Sequence, residues 1–348
     1  MDMTFSVSDK PIASGRAFLI AEVAQAHDGS LGLAHAFIDA AAAAGADAIK
    51  FQTHIASAES TLDEVFRVEF SRQDATRYDY WRRMEFTPEQ WAGLAAHARE
   101  KDLVFLSSAF SVEAVELLHR LGMPAWKVAS GELGSEAILD AMLSKAAPFI
   151  VSTGMSPWSE IDAIVQRIRS TGCALVVLQC TSRYPTPLDA VGLNVMDELR
   201  TRYRVPVGLS DHSGMPHPAM AAIARGADVI EAHLTLDRNM FGPDVSSSLT
   251  MPEFRLISDF RNAVTKMDAH PVDKDAAAAA LAPMRAMFGR SLAPRKLLRA
   301  GTTLAAGMLG AKKPSGGIPE SDLSRLVGRR LVRDVPPDRL VRWDDIEQ

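Results

Sequence analysis

The chain reads as an α/β protein, a (β/α)8 TIM barrel followed by a small, mostly β module, and three observations predict it. From Phe18 to about Phe260 short apolar runs alternate with helical segments, the pattern of a parallel sheet or barrel rather than a sandwich. There are eight such runs, the number and span of one closed barrel. Past Asp268 the composition turns charged and alanine-rich, and from about Arg290 the apolar runs become short and are separated by Gly and Pro. The expected division is a barrel over 1–267, a connecting segment over 268–289 with a helix from Asp268 to Ala282, and a β module over 290–348.

The runs justify themselves in order by how they end. The first, Phe18 to Glu22, finishes on an acid, and the second, Ala48 to Gln52, carries Lys50 and Gln52. A long segment, 57–91, then interrupts the rhythm with Phe66, Phe70, Tyr78, Tyr80 and Trp81. Such a loop either covers substrate or packs down on the barrel, and packing is the expectation. Thr87-Pro88-Glu89-Gln90 has the sequence of a helix cap followed by proline in the first turn. The third run, Val104 to Ser108, ends on Ser107 and Ser108; the fourth, Ala125 to Val128, holds Lys127 and leads to Ser130 and Glu132. The fifth, Phe149 to Ser152, and the sixth, Leu175 to Gln179, end on single polar groups.

The seventh and eighth runs carry the strongest signal. Val207 to Ser210 leads into Asp211-His212, and Val229 to His233 follows after a helix-forming stretch that stops at Gly226. A strand, a crossover helix and a second strand make the two strands parallel neighbours. Their carboxyl ends then lie side by side, so His212 and His233 are placed to hold one divalent metal with positions left open for substrate oxygens. The plain alternative, two hydrogen-bonded core histidines, is less economical for a pair at neighbouring ends. All eight runs finish on polar or charged groups, at the face where such barrels build their sites.

Bulk properties exclude several classes. At 348 residues and 47% hydrophobic, the chain has ample apolar material for a large core. A net charge of −5 argues against a general nucleic-acid binder and leaves room for a local anion pocket. Two cysteines, Cys173 and Cys180, are too few for a disulfide framework and suit a reducing cytoplasm. The first sixteen residues lack a signal pattern, and no apolar run is long enough for a membrane span. A module of this size is marginal alone and is expected to dock on a barrel of its own or a partner subunit.

At the barrel mouth, Lys50 and Lys127 with the hydroxyls of Ser130, Ser152 and Ser210 make a cationic, donor-rich site for a phosphate and a carboxylate together. Glu22 or Glu132 is available to orient water or move a proton, and the histidine metal is available to polarise a carbonyl. The chemistry inferred is addition to an aldehyde. A Schiff-base aldolase using Lys127 or Lys50 stays open beside it.

Segments in register along nearly the whole chain carry a resemblance: Ile20-Ala21-Glu22, Gly45 to Gln52, Lys127 to Glu132, Ser152 to Met155, Tyr184-Pro185-Thr186-Pro187, Ser210-Asp211-His212, Gly242-Pro243-Asp244, and Lys313 to Ile318 in the tail. Together these resemble bacterial sialic acid synthases, nonulosonic acid synthases that end in an antifreeze-like (SAF) domain. The resemblance implies condensation of phosphoenolpyruvate with an open-chain N-acetylmannosamine-type aldose, with release of phosphate. It implies a divalent ion, Mn2+ first, with Mg2+ and Co2+ as alternatives, on His212 and His233. It places Lys50, Ser108, Lys127, Ser130, Ser152 and Ser210 around phosphoenolpyruvate, Glu22 near the reacting carbons, and Gln52, Glu132, Tyr184 and Asp244 around the sugar. It also implies a domain-swapped homodimer. Three positions depart from the family pattern: Ser182 for asparagine, Lys313 for the arginine of the tail loop, and Ala232 for a lysine. The first two bear on the sugar, so a diacetamido-trideoxyhexose, or a phosphorylated sugar, stands as the alternative acceptor. A catalytically silent sugar-binding barrel is the alternative of a different class.

Overall fold

The computed structural model describes residues 4–347 and divides the chain into two compact units, Met1–Ala269 and His270–Gln348. In the first, eight parallel strands close on themselves: β1 Phe18–Ala24, β2 Ala48–Thr53, β3 Val104–Ala109, β4 Trp126–Val128, β5 Phe149–Ser152, β6 Leu175–Cys180, β7 Val207–Asp211 and β8 Val229–Thr235. Each pairs with the next, and β8 pairs with both β7 and β1. The eight runs legible in the sequence are these eight strands.

Strand alternation divides the side chains between two cores. Ile49, Phe51, Val128, Val151, Val177, Leu209 and Ala232 face the helix layer. Phe18, Ile20, Ala48, Leu106, Ile150, Val176, Leu178 and Val229 fill the barrel interior. Gly208 sits where β7 closes on β8; a Cβ there would lie 1.9 Å from the Val229 carbonyl oxygen. The lower end of the interior is plugged by an antiparallel hairpin, Phe5–Val7 with Lys10–Ile12, whose Val7 and Ile12 are fully buried in that core. The sequence reading did not anticipate this hairpin, because three-residue strands offer too little alternation to register.

The helices follow their caps. Thr87 Oγ1 accepts from Gln90 N at 3.3 Å and Gln90 Oε1 accepts from Thr87 N at 2.8 Å, a reciprocal cap at the start of Pro88–Glu100. The segment 57–91 packs Tyr80, Trp81 and Met84 onto Ala56, with Phe66, Phe70 and Tyr78 against them. The packing role expected for its aromatics is therefore present, and several of them also face the barrel mouth.

In the second unit, two short helices, Lys274–Ala280 and Ala282–Phe288, replace the single connecting helix expected from Asp268 to Ala282. Asp273 caps the first, and Pro283 opens the second, since its ring cannot continue the helix before it. Ser291–Pro294 pairs antiparallel with Leu309–Lys312 around a core that includes Leu292, Leu304, Leu326, Leu331 and Val341. The apolar run from Leu326 to Val332 forms the end of the short helix Leu323–Leu326 and a loop with isolated bridges Thr303 to Arg330 and Leu331 to Ile346. Among the described residues no helix is long and apolar enough to cross a membrane.

Candidate active site

The carboxyl ends of the strands enclose a cavity of about 430 Å3. Its lining includes Glu22, Lys50, Gln52, Ser108, Lys127, Ser130, Glu132, Ser152, Ser182, Tyr184, Ser210, His212, His233 and Asp244, so fourteen of the fifteen residues singled out in the sequence meet in one place. The fifteenth, Lys313, belongs to the second unit, where its ammonium lies 4.9 Å from the centre of the Phe288 ring.

Register explains the convergence. His233 stands beside Glu22, Glu22 beside Lys50, Gln52 beside Ser108, Ser108 beside Lys127, and Ser210 beside Glu231. A bulge between Glu22 and Ala24 shifts the β1–β2 register at the rim, a common device for aiming a side chain beside a site. Alternation also corrects three strand-end assignments. Gln179 points outward and donates to the Val191 carbonyl at 3.1 Å, Ser107 bonds Thr53 at 2.8 Å, and Asp211 accepts from Ser213 Oγ at 2.7 Å.

At the floor of the cavity lies a cluster of two acids and two lysines. Lys50 is ion-paired to Glu22 and stands 3.7 Å from Glu231, while Lys127 stands 3.5 Å from Glu231. Lys50 donates to Ser108 at 3.1 Å, Lys127 to Ser152 at 2.9 Å, and Ser210 to Glu231 at 2.9 Å. Burial pushes Glu22 up to about 7, with the Glu231 charge adding to it and Lys50 opposing. Glu231 goes the other way: burial favours its neutral form, but the two ammonium groups and Ser210 hold it ionised. Burial lowers Lys127 against the pull of Glu231; Lys50 is raised because Glu22 and Glu231 together outweigh its burial.

The histidine pair sits beside this cluster, with ring centres 5.2 Å apart. His212 Nδ1 lies 3.2 Å from the Thr181 carbonyl oxygen, which makes Nδ1 the protonated nitrogen and leaves the Nε2 lone pair facing the cavity. There it lies 3.1 Å from the Tyr184 hydroxyl. Burial pushes His233 down to about 4 against the pull of Asp244, and its ring has no hydrogen-bond partner among the described residues. Burial lowers His212, but the Cys180 thiol and the Thr181 carbonyl outweigh it and raise the ring above the ordinary imidazole value. The pair fits a divalent ion where His212 Nε2 exchanges the Tyr184 hydroxyl for the metal. No group of three or more His, Cys, Asp or Glu among the described residues is arranged to hold one, so the pair would share its ion with water or substrate oxygens.

Above the floor, Ser130 Oγ accepts from Gly154 N at 3.0 Å. A Cβ on Gly154 would lie 2.2 Å from Ser182 Oγ. Glu132 accepts from Ser135 at 2.6 Å and is raised by burial. The segment 57–91 contributes Glu59, Glu64, Phe66, Arg67, Phe70, Arg77, Tyr80 and Trp81 to the lining. Arg67 stacks 4.1 Å from the centre of the Tyr184 ring and pairs with Asp244 at 2.6 Å. Arg67 and Glu59 of this segment, with His54 and Gln25 elsewhere in the lining, carry no local signal in the sequence, and Glu231 lies inside the eighth run. Glu231 was findable: Val229, Glu231 and His233 share one face by alternation. Arg67 was not, because nothing local says which way a long segment folds.

Comparison with known proteins accords with this geometry. The NeuB family model matches residues 37–271, and the SAF domain model matches residues 289–347. The chain is 32% identical to the N,N'-diacetyllegionaminic acid synthase of Legionella pneumophila, covering 95% of this chain and 94% of that one. It is 30% identical to the N-acetylneuraminate-9-phosphate synthase of Mus musculus, over 95% and 92%. Among solved structures, the N-acetylneuraminic acid (sialic acid) synthetase of Leptospira borgpetersenii superimposes with a TM-score of 0.71 at 26% identity, covering 83% of this chain and 98% of that one.

Proposed function

The chain belongs to the NeuB family, and from that premise we propose that it condenses phosphoenolpyruvate with an open-chain, N-acylated six-carbon aldose. The products are a nine-carbon 2-keto acid of the nonulosonic class and inorganic phosphate. The observation that carries this reading is the buried cluster of Glu22, Lys50, Lys127 and Glu231 beside the histidine pair. Two ammonium groups and the hydroxyls of Ser108, Ser130, Ser152 and Ser210 suit the phosphate and carboxylate of one small acid.

In the reaction, the methylene carbon of phosphoenolpyruvate forms a bond to the aldehyde carbon, whose oxygen takes up a proton. Water adds to the carbon bearing the phosphate, and the C–O bond to phosphate breaks. Lys50 and Lys127 hold the leaving phosphate and the carboxylate as charge redistributes, the kind of preorganised stabilisation that carries much of such a rate. Glu22 orients the water and takes its proton; a carboxyl near 7 is matched to that task at neutral pH. Gln52 donates to Glu22 Oε1 at 3.1 Å and keeps the carboxylate aimed. A divalent ion on His212 and His233, Mn2+ first, would supply Lewis-acid polarisation of the aldose carbonyl.

The outer cavity favours an unphosphorylated sugar. It presents Glu59, Glu64, Glu132 and Asp244, while its arginines Arg67 and Arg77 are engaged by Asp244 and Glu64. Among the described residues of this lining, both arginines a sugar phosphate would meet are already paired with carboxylates. Phe66, Phe70, Tyr80 and Trp81 suit acyl methyl groups and a deoxygenated ring carbon, so a diacetamido-trideoxyhexose is the preferred acceptor. Glu59 Oε2, buried and without a hydrogen-bond partner, is left for a sugar hydroxyl.

The same reading makes the protein a cytoplasmic homodimer, in keeping with two free cysteines, and brings Lys313 of each second unit to the partner's sugar site. The deciding experiment measures phosphate release from phosphoenolpyruvate with Mn2+ and a panel of N-acetylmannosamine, its 6-phosphate and diacetamido-trideoxyhexoses. Release with an unphosphorylated sugar is expected; release only with the 6-phosphate would overturn the sugar assignment, and none with any sugar would favour the silent barrel.

A further inference from the structure

One buried histidine of the cavity has no role in the chemistry above. His54, one residue past β2, is held flat between Trp81 and Phe110, with ring centres 4.0 and 4.6 Å away and interplanar angles of 15° and 10°. Its Nδ1 lies 2.7 Å from Glu59 Oε1 and its Nε2 lies 3.1 Å from Gln25 Nε2. Gln25 Nε2 also donates to Gln52 Oε1, and Gln52 Nε2 donates to Glu22 Oε1 at 3.1 Å.

With both amides oriented as they stand, one assignment of hydrogens satisfies the four links that run from Glu59 through His54, Gln25 and Gln52 to Glu22. Glu59 accepts from His54 Nδ1–H. His54 Nε2, left with its lone pair, accepts one N–H of Gln25, whose other N–H goes to Gln52 Oε1. Gln52 is then obliged to present its own N–H to Glu22. The 3.2 Å between His54 Nε2 and Gln52 Oε1 is a contact between two acceptors that share the Gln25 amide. Amides in this chain orient; they do not pass protons.

We propose that His54 is a positioning residue which, held by Glu59 and clamped between two rings, fixes the Glu22 carboxylate through the amides of Gln25 and Gln52. This rests on the role proposed for Glu22 at the reacting carbons. Second-neighbour partners that orient a reactive group are commonly worth a factor of roughly 10–100 in activity.

The test uses the full-length protein. His54→Phe keeps the ring stack and removes both nitrogens; kcat is expected to fall roughly tenfold to a hundredfold with the KM for phosphoenolpyruvate unchanged within about twofold. His54→Gln, whose amide oxygen can take the place of Nε2, restores most of the loss. Gln25→Ala leaves the stack untouched and reproduces the kcat loss even if His54→Phe does not fold. In a Gln52→Ala background His54→Phe costs nothing further. Unchanged kcat in His54→Phe or Gln25→Ala, equal losses in His54→Phe and His54→Gln, or additive losses with Gln52→Ala would each overturn the proposal. Nitrogen-15 NMR of histidine-labelled protein reads the network without reference to the reaction. A neutral His54 protonated on Nδ1 is expected, and protonation on Nε2 would refute the chain even in a protein that turns over no substrate.

Discussion

Glu231 Oε1 lies 3.5 Å from Lys127 Nζ, with both side chains all but sealed from solvent. Neither group is tolerable there alone, since a buried charge without its partner costs several kcal/mol. Because Glu231 also stands 3.7 Å from Lys50, one carboxylate holds both ammonium groups at the cavity floor before any substrate anion arrives.

Replacing Glu231 by glutamine therefore leaves two buried lysines facing Glu22 alone. Stability is expected to fall by about 3 kcal/mol in urea unfolding followed by circular dichroism. A loss below about 0.5 kcal/mol would mean that the lysines find solvent.

Lys127 is assigned to the anion itself. Lys127→Met should raise the KM for phosphoenolpyruvate roughly tenfold to a hundredfold while the KM for the aldose moves little, the size expected for one charged hydrogen bond. Initial-rate measurements with each substrate varied in turn decide it, and an equal rise in both constants would refute the assignment.

Glu22 gives the pH dependence. As a base it acts in its ionised form, so kcat should rise with pH through about 7, and Glu22→Gln should remove both that limb and most of the turnover. The linkage has the opposite slope. A carboxyl held above its unfolded value of 4.5 binds its proton more tightly when folded, so its contribution to stability is complete below 4.5 and is lost as the pH rises towards 7. Rate profiles and thermal melts across that window check both signs.

His212 and His233 predict a requirement for a divalent ion. Chelation should abolish phosphate release, Mn2+ should restore it, and His233→Ala should be beyond rescue. Full turnover in protein shown by elemental analysis to be metal-free would exclude that role for the pair.

Arg67 crosses the mouth from the 57–91 segment to Tyr184 and Asp244. Arg67→Ala is expected to raise the KM of the aldose about tenfold, the loss of one stacking and one ionic contact, while that of phosphoenolpyruvate stays put. The reverse pattern would place Arg67 on the wrong substrate.

Much of the site is legible in the sequence because barrel strands impose a period of two and gather their carboxyl ends. Lys50 and Gln52, Ser210 and His212, and Glu231 and His233 are each two apart and face inward together. The same period places Ala232 in the helix-facing core, so the family's lysine is absent from a position that does not face the cavity. Gln179 misled because a strand's last polar residue need not lie on its inner face.

The amino-acid sequence by itself determined eight strands, their order and the identity of the groups at their ends, since apolar runs, caps and turn residues act over a few neighbours. Only the tertiary structure decided what those groups do to one another. Glu22 and Glu231 are both strand-end acids, yet one is raised and the other held ionised by the lysines around them. Likewise the reach of Arg67 to Asp244 and the clamp on His54 depend on how the segment from 57 to 91 packs over the mouth. Charge interactions and loop packing depend on distance through space, and the order of residues along the chain carries little of that information.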